Sequence, residues 1–347
     1  MAAKREYLMP ETDKVAVVIT SINKPGPALQ LIAEGCLRMG HEFFVIGDEA
    51  GPAEFHLEGC RFFNLPDQQE LGFKLAQLSP TRHYARKNIG YLLAMQSGAK
   101  MILDLDDDCT PNVNFWLRRN RHQTVRTSSE AGWVNVYRYF SEAQIWPRGF
   151  PLDKINDAVR PFETLPAEVV DCPIQNGLSD GDPDVDAIYR LISPSLQDFR
   201  RDRCLALKTG SWSPFNTQNT AWWSDAFLLL YLPAFCSFRM TDIWRSFVAQ
   251  RIAWANDWGI LFHGPNITQE RNPHDLMRDF ADELPGYLNN AKICEALSKL
   301  QIETGGEHVP DNLRACYAEL VRIEVIQERE LILLDAWIAD FQSVTST

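Results

Sequence analysis

Lys14 to Ser21 (KVAVVITS) is an unbroken run of apolar, mostly β-branched residues with no helical period, the pattern of a strand buried on both faces. Glu42 to Gly47 (EFFVIG) and Lys100 to Leu105 (KMILDL) repeat that pattern. Ala28 to Met39, with Pro27 near its start, and Pro80 to Ser97 carry helical patterns between them. Strands alternating with helices predict an α/β fold with a largely parallel sheet. Ligands of such sheets bind beyond the carboxyl ends of the strands. Thr20, Ser21, Asp48 and the run Asp104-Leu-Asp-Asp-Asp108 all fall at such ends.

The pattern becomes irregular from about 112 to 209, where Pro, Gly, Trp and charged residues crowd together. That stretch reads as an insertion covering the site. Apolar runs return from Ser211 to His263. Further on, Leu313, Tyr317, Leu320 and Val321 recur at helical spacing among Glu and Arg. They predict an amphipathic helix that packs on the body or on a second subunit, which would make a homo-oligomer. The expected organisation is one α/β domain over 1–280, with 112–209 as its covering and acceptor region, and a helical C-terminal extension over 281–347.

Composition narrows the function classes. Of 347 residues, 45% are hydrophobic and 23% charged, which is ordinary for a globular chain. A net charge of -12 excludes a general nucleic-acid binder, which needs a basic face. No run reaches the roughly 18 apolar residues of a membrane span. The nearest, Ala226 to Phe238, is shorter and contains Pro233. Met1 to Asp13 lacks the apolar core of a signal peptide. Eight cysteines without CxxC spacing read as buried thiols of a reducing compartment, so a cytoplasmic location is expected.

The candidate chemistry centres on the aspartates. Four carboxylates so close together repel one another unless a cation is present. Their hard oxygens suit Mg²⁺ or Mn²⁺, with Asp106 and Asp108 as the metal ligands and Asp107 beside the nucleotide. A strand-borne D-x-D is a device for holding a metal against a diphosphate, and the alternatives are a solvated acidic loop or a calcium site. About twenty residues earlier, Arg86 and Lys87 are placed to meet a diphosphate and Asn88 a nucleoside or the aspartate loop. Gly90 suits close helix packing.

ARKNIGYLLAMQSGAKMILDLDDDC resembles the A-R-N-x-G and D-D-D arrangement of glycosyltransferase-A enzymes. More closely, the chain resembles the STELLO-type glycosyltransferase-like family. The similar segments are ITSINKPGPAL, RKNIGYLLAMQSGAK, DLDDD, WPRGFPL, NGLSDGDPDVDAIYRL and FNTQNTAWW with RMTDIWRSFVAQR, in order over about 15–280. It is similar more distantly to the reversibly glycosylated polypeptides, the UDP-arabinopyranose mutases. The resemblance implies a Rossmann-like mixed sheet flanked by helices, a nucleoside-diphosphate sugar donor that is UDP-linked, and an acceptor, such as a glycan, that it does not identify.

The resemblance gives three later motifs a meaning. Asp182, Asp184 and Asp186 form a carboxylate turn beside Gly177 and Gly181, implied to lie near the sugar or acceptor. On bare sequence they read first as a helix N-cap cluster, with an acceptor-hydroxyl site or a second metal site as the alternatives. Asp242 stands where such enzymes place a catalytic base, and equally where an aspartate caps the helix Ile243 to Trp254. Arg148, in WPRGFPL, matches the mutases' reversibly glycosylated arginine; the alternatives are a diphosphate contact or a pair with an aspartate. His263 or His274 is the candidate third metal ligand.

Overall fold

The computed structural model describes residues 14–345 apart from 53, 194–195 and 271–274. Its first strands are β1 (Val15–Thr20), β2 (Glu42–Ile46), β3 (Arg61–Phe63) and β4 (Met101–Leu105). They lie side by side in the order β3-β2-β1-β4, all parallel. Val15, Val17 and Ile19 enter one apolar cluster, and Ala16 and Val18 enter the other. A strand with both faces buried needs this continuous apolar run, because alternate side chains point to opposite layers.

Helix α1 (Pro27–Met39) covers one face. On the other face the short helices α2 (Leu65–Glu70) and α3 (Lys74–Leu78) precede α4 (Lys87–Gln96). The predicted helix over Pro80 to Ser97 is thus shorter, entered through a tight turn at Tyr84–Arg86. Gly90 lets α4 approach the sheet: a Cβ there would stand 2.6 Å from Val18 Cγ1 and 2.8 Å from Ile46 Cγ1.

The remaining strands are β5 (Cys109–Pro111), β6 (His122–Ser128), β7 (Gly132–Trp133), β8 (Ala167–Asp171), β9 (Ile174–Gly181), β10 (Cys204–Leu207), β11 (Ser211–Trp212), β12 (Asn219–Trp223) and β13 (Ile260–Gln269). They extend the sheet as β4-β12-β9-β13-β10-β6-β8, with β5 on β13 and a separate β7–β11 pair. β12 runs antiparallel to both of its neighbours. The sheet is therefore mixed and flanked by helices, as the resemblance implied, and not largely parallel as the alternation alone suggested. The expectation of a covering insertion over 112–209 is also corrected. That stretch contributes β6, β8, β9 and β10, and β9 lies in the middle of the sheet.

Helix α5 (Ala187–Ile192) follows β9, and α6 (Thr241–Ala255) follows β12. The chain ends in α7 (Leu276–Lys299), α8 (Val309–Arg322) and α9 (Glu330–Thr345). The expected boundary at 280 falls inside α7. Leu313, Cys316, Tyr317 and Leu320 of α8 and Leu334 and Trp337 of α9 share one core with Tyr231, Trp244 and Phe247. The apolar face expected to offer a subunit contact is spent within the chain. Asp340 accepts hydrogen bonds from the Lys74 and Leu75 backbone N–H groups at 3.1 and 2.8 Å, so α9 caps α3. Glu330, fully buried, accepts from the Tyr231 hydroxyl and from the Ala234 and Phe235 N–H groups. The extension thereby holds the loop that leads into α6.

Candidate active site

A cavity of about 690 Å³ opens beyond the carboxyl ends of β1, β2 and β4. It is lined by Thr20, Ser21, Asp48, Arg86, Asp106, Asp107, Asp108, Arg148, Asp184 and Asp242 from the sequence-based candidates. The structure brings these ten to one place although they span more than two hundred positions. It adds Asn23, Arg82, Tyr84, Asn216, Gln218, Phe238, Arg239 and Gln269, none of which sequence reasoning selected. Neutral amides and a lone aromatic carry no spacing signal.

The aspartate run divides into distinct roles. Asp104 is fully buried and points inside the fold, 2.6 Å from Lys87 Nζ and 3.1 Å from Arg245 Nη1. Asp106 Oδ1 accepts from the Tyr84 hydroxyl at 2.6 Å and lies 3.3 Å from Lys87 Nζ. Asp107 accepts from Ser21 Oγ at 2.6 Å and Asn23 Nδ2 at 3.1 Å. Asp108 accepts from Gln269 Nε2 at 3.0 Å. Burial, followed by the like charge of Asp106, pushes the Asp108 carboxyl up to about 6, against the bond from Gln269. The premise that all four need an external cation is thus corrected. Lys87 and Arg245 neutralise Asp104, and the repulsion remains at Asp106 to Asp108.

Two basic or polar candidates leave the ligand surface. Lys87 is fully buried as the partner of Asp104 and Asp106, not of a diphosphate. Burial opposes its charge, but the two aspartates outweigh burial and hold the ammonium above its ordinary pKa. Asn88 exchanges two hydrogen bonds of 2.9 Å with the Leu232 backbone, which fixes the loop before α6 rather than a nucleoside. Arg86 stays on the cavity wall. Its Nε donates to Gln68 at 2.8 Å and Nη1 to the Ser79 carbonyl at 3.0 Å, while Nη2 is buried with no partner among the described residues. Asp48 spends its carboxylate on the Arg82 and His83 N–H groups at 2.9 and 2.8 Å, shaping the turn behind the cavity.

The carboxylate turn also divides. Asp182 pairs with Arg190. Asp186 caps α5 through the Tyr189 N–H at 2.8 Å and accepts from Trp146 Nε1 at 2.7 Å. Only Asp184 lines the cavity, so the acceptor-side reading is corrected for Asp182 and Asp186. Asp184 meets Arg148 in a fork, at 2.8 Å from Nε and 2.9 Å from Nη2. The same guanidinium donates to Asp242 from Nη1 and Nη2, and Nη1 also meets the Arg239 carbonyl. Those five contacts consume the five N–H donors of an arginine. Burial opposes the charge, yet Asp184 and Asp242 hold the guanidinium firmly protonated. Asp242 lies in the first turn of α6, whose N-cap position is Met240 and carries no side-chain cap, so Asp242 is not the N-cap.

His263 does not complete a metal shell. His263 lies within β13 with Nδ1 2.8 Å from the Gly264 carbonyl, away from the cavity wall, and burial pushes its imidazole down to about 4. His274 lies outside the described residues. Among the described residues no three His, Cys, Asp or Glu side chains gather around one point. What the site offers a cation is hard oxygen from Asp106 and Asp108. That donor set fits Mg²⁺ or Mn²⁺, which commonly take one or two carboxylates and complete their shell with phosphate and water.

Residues 239–346 match the protein family described as "STELLO glycosyltransferases". The chain is 29% identical over 287 residues to "Probable glycosyltransferase STELLO2" of Arabidopsis thaliana, covering 74% of this chain and 36% of that protein. It is 33% identical over 240 residues to "Probable glycosyltransferase STELLO1" of the same plant, covering 61% and 30%. The similarity expected from the motifs is therefore found, and the chain spans about a third of the length of these relatives. Two solved structures of glucosyl-3-phosphoglycerate synthase from Mycobacterium tuberculosis also match, each over 81% of this chain and 80% of that one. One, with phosphoglyceric acid, gives a TM-score of 0.42 at 10% identity. The other, with Mn²⁺, uridine diphosphate and glucosyl-3-phosphoglycerate, gives 0.39 at 12%. Among the described residues no helix is long and apolar enough to cross a membrane.

Proposed function

We propose that this chain is a metal-dependent glycosyltransferase that moves a sugar from a nucleoside-diphosphate sugar, UDP-linked, to the hydroxyl of an acceptor such as a glycan. The observation that carries the reading is the charge of the cavity. Its wall holds six carboxylates, Asp48, Asp106, Asp107, Asp108, Asp184 and Asp242, against four arginines. Arg82 is paired with Glu49, Arg239 with Glu283, and Arg148 with two aspartates. Arg86 is held by Gln68 and a carbonyl. Three of the four wall arginines are thus already paired with carboxylates, and the charge of Arg86 alone stands against six carboxylates. A diphosphate ligand here calls for a cation between itself and Asp106 and Asp108.

When bound there, Mg²⁺ or Mn²⁺ would neutralise charge on the departing nucleoside diphosphate. The chain's own groups do the rest. Lys87 and Tyr84 fix Asp106 in position, and Gln269 fixes Asp108. Thr20, the Asp48 turn and the orphan Nη2 of Arg86 border the base and ribose end, where a carbonyl of the base would satisfy the Nη2 donor. Asp242 takes the acceptor's proton, oriented by Arg148. The spent donors and firm positive charge of Arg148 weigh against the mutase reading, in which that nitrogen would attack the sugar.

The test is incubation with UDP-glucose, UDP-galactose and UDP-arabinopyranose in Mn²⁺, read by UDP release and intact-protein mass spectrometry. The expected result, with no acceptor added, is slow UDP release with equimolar free sugar formed by transfer to water, and unmodified protein. A hexose or pentose on the Arg148 peptide, discharged again by UDP, would establish the mutase instead. No turnover and no UDP binding would leave a scaffold protein.

A further inference from the structure

Two clefts of about 790 and 640 Å³ share Trp254, Ala255 and Thr304, and so form one continuous depression. Each lies within the size range of ligand pockets. They sit far from the cavity just described. Cleft residues Asp225 and Trp258 stand next to the end of β12 and the start of β13, whereas Asn219 and Gln269 mark the cavity end of the same strands. Along β13 that is roughly 30 Å at about 3.3 Å per residue. Helix α6 also joins the two places, with Asp242 in its first turn and Trp254 in its last, roughly 18 Å apart at 1.5 Å per residue.

Trp133 and Trp254 are half-buried, Trp258 is 8% exposed, and Trp212 backs Trp254 with ring centroids 4.3 Å apart. Elsewhere the indole N–H groups of Trp146, Trp244 and Trp337 are spent on internal acceptors, while that of Trp222 is buried with no partner among the described residues. Those of Trp133, Trp254 and Trp258 have no partner within the protein among the described residues. An amphipathic ring with a free N–H offers a flat apolar face and a donor at its edge. The cations of the clefts are already committed, Arg121 to Asp171 and Asp225 and Arg251 to the Leu297 and Leu300 carbonyls. Arg251 keeps its charge, but Asp225, Asp257 and Glu295 outnumber it, so the clefts do not favour an anion. Asp225, Asn256 and Asp257 supply acceptors.

We propose that this tryptophan-lined depression binds a neutral oligosaccharide. Pyranose rings match it: their axial C–H faces lie on indoles, and their hydroxyl edges meet carboxylates, amides and indole N–H groups. The inference does not rest on the nucleotide-sugar reading, and the two fail separately. The experiment follows the indole N–H resonances of the tryptophan-labelled chain by NMR while maltohexaose and, separately, cellohexaose are added to millimolar concentration. It is run with and without saturating UDP and Mn²⁺, with assignments from Trp133→Phe, Trp254→Phe and Trp258→Phe. The expected result is movement of the Trp133, Trp254 and Trp258 resonances with at least one hexasaccharide, with or without UDP and Mn²⁺. Trp254→Ala should weaken that binding tenfold or more, and Trp254→Phe less. Still resonances with both sugars, or movement abolished by UDP and Mn²⁺, would overturn the proposal.

Discussion

Arg148 and Asp242 meet through two parallel hydrogen bonds, 3.0 Å from Nη1 to Oδ1 and 2.7 Å from Nη2 to Oδ2, on the wall of the cavity. Asp184 occupies the other edge of the same guanidinium. Arg148→Ala would leave two buried carboxylates side by side. The expected cost is about 3–5 kcal/mol of folding stability, as for other buried pairs that lose one partner. Arg148→Lys keeps the charge but loses the planar fork, and should cost less. Urea denaturation of the two variants measures both. Unchanged stability in Arg148→Ala would mean that the arginine is held for a ligand and not for the fold.

Asp242→Asn tests the proton acceptor. The amide keeps the shape of the carboxylate but cannot take a proton. UDP release from a UDP-sugar should fall about 100-fold or more, while the affinity for UDP with Mn²⁺ stays within a few-fold of the parent. Full activity in the variant would move the base elsewhere, and Asp184 is the remaining carboxylate on that side of the cavity.

Asp186 gives the fold a pH dependence that can be isolated. Burial lifts its carboxyl to about 6 from an ordinary 3.8, against the Tyr189 N–H and Trp146, with Glu283 adding like charge. The folded state therefore holds this proton more tightly than the unfolded chain. Its contribution to stability is present below pH 4 and is lost as pH rises through about 6. Over that interval the loss is up to about 3 kcal/mol. Asp186→Asn keeps an acceptor for the Tyr189 N–H, loses the one for Trp146 Nε1 and removes the titration. Apart from a constant offset for that lost bond, the parent should lose stability relative to the variant between pH 4 and pH 7. Parallel pH profiles would contradict the assignment.

Much of this site is legible in the sequence because strand ends and ligand positions coincide in an α/β sheet. KVAVVITS and KMILDL each predict a strand buried on both faces, and the aspartates follow directly from the second. β9 was hidden for the opposite reason. Its residues Gln175, Asn176, Ser179 and Asp180 are polar yet buried, and Asn176 is satisfied by Thr220 Oγ1 at 2.8 Å. A central strand stabilised by side-chain hydrogen bonds shows no apolar run to read. Lys87 was misplaced because its partner Asp104 sits seventeen residues away on another element, and helix periodicity cannot reveal a buried ion pair. The amides of Asn216, Gln218 and Gln269 became visible only when β12 and β13 brought their ends to the aspartates.

The most direct measurement of the central claim is calorimetric titration of UDP into the protein in Mn²⁺, in EDTA, and into an Asp106→Asn, Asp108→Asn double variant. If the cavity holds a diphosphate through a cation on those two carboxylates, UDP binds in Mn²⁺ and loses at least a hundredfold in affinity in EDTA. The double variant should bind as weakly in Mn²⁺ as the parent does in EDTA. Equal affinity in Mn²⁺ and EDTA would contradict the account.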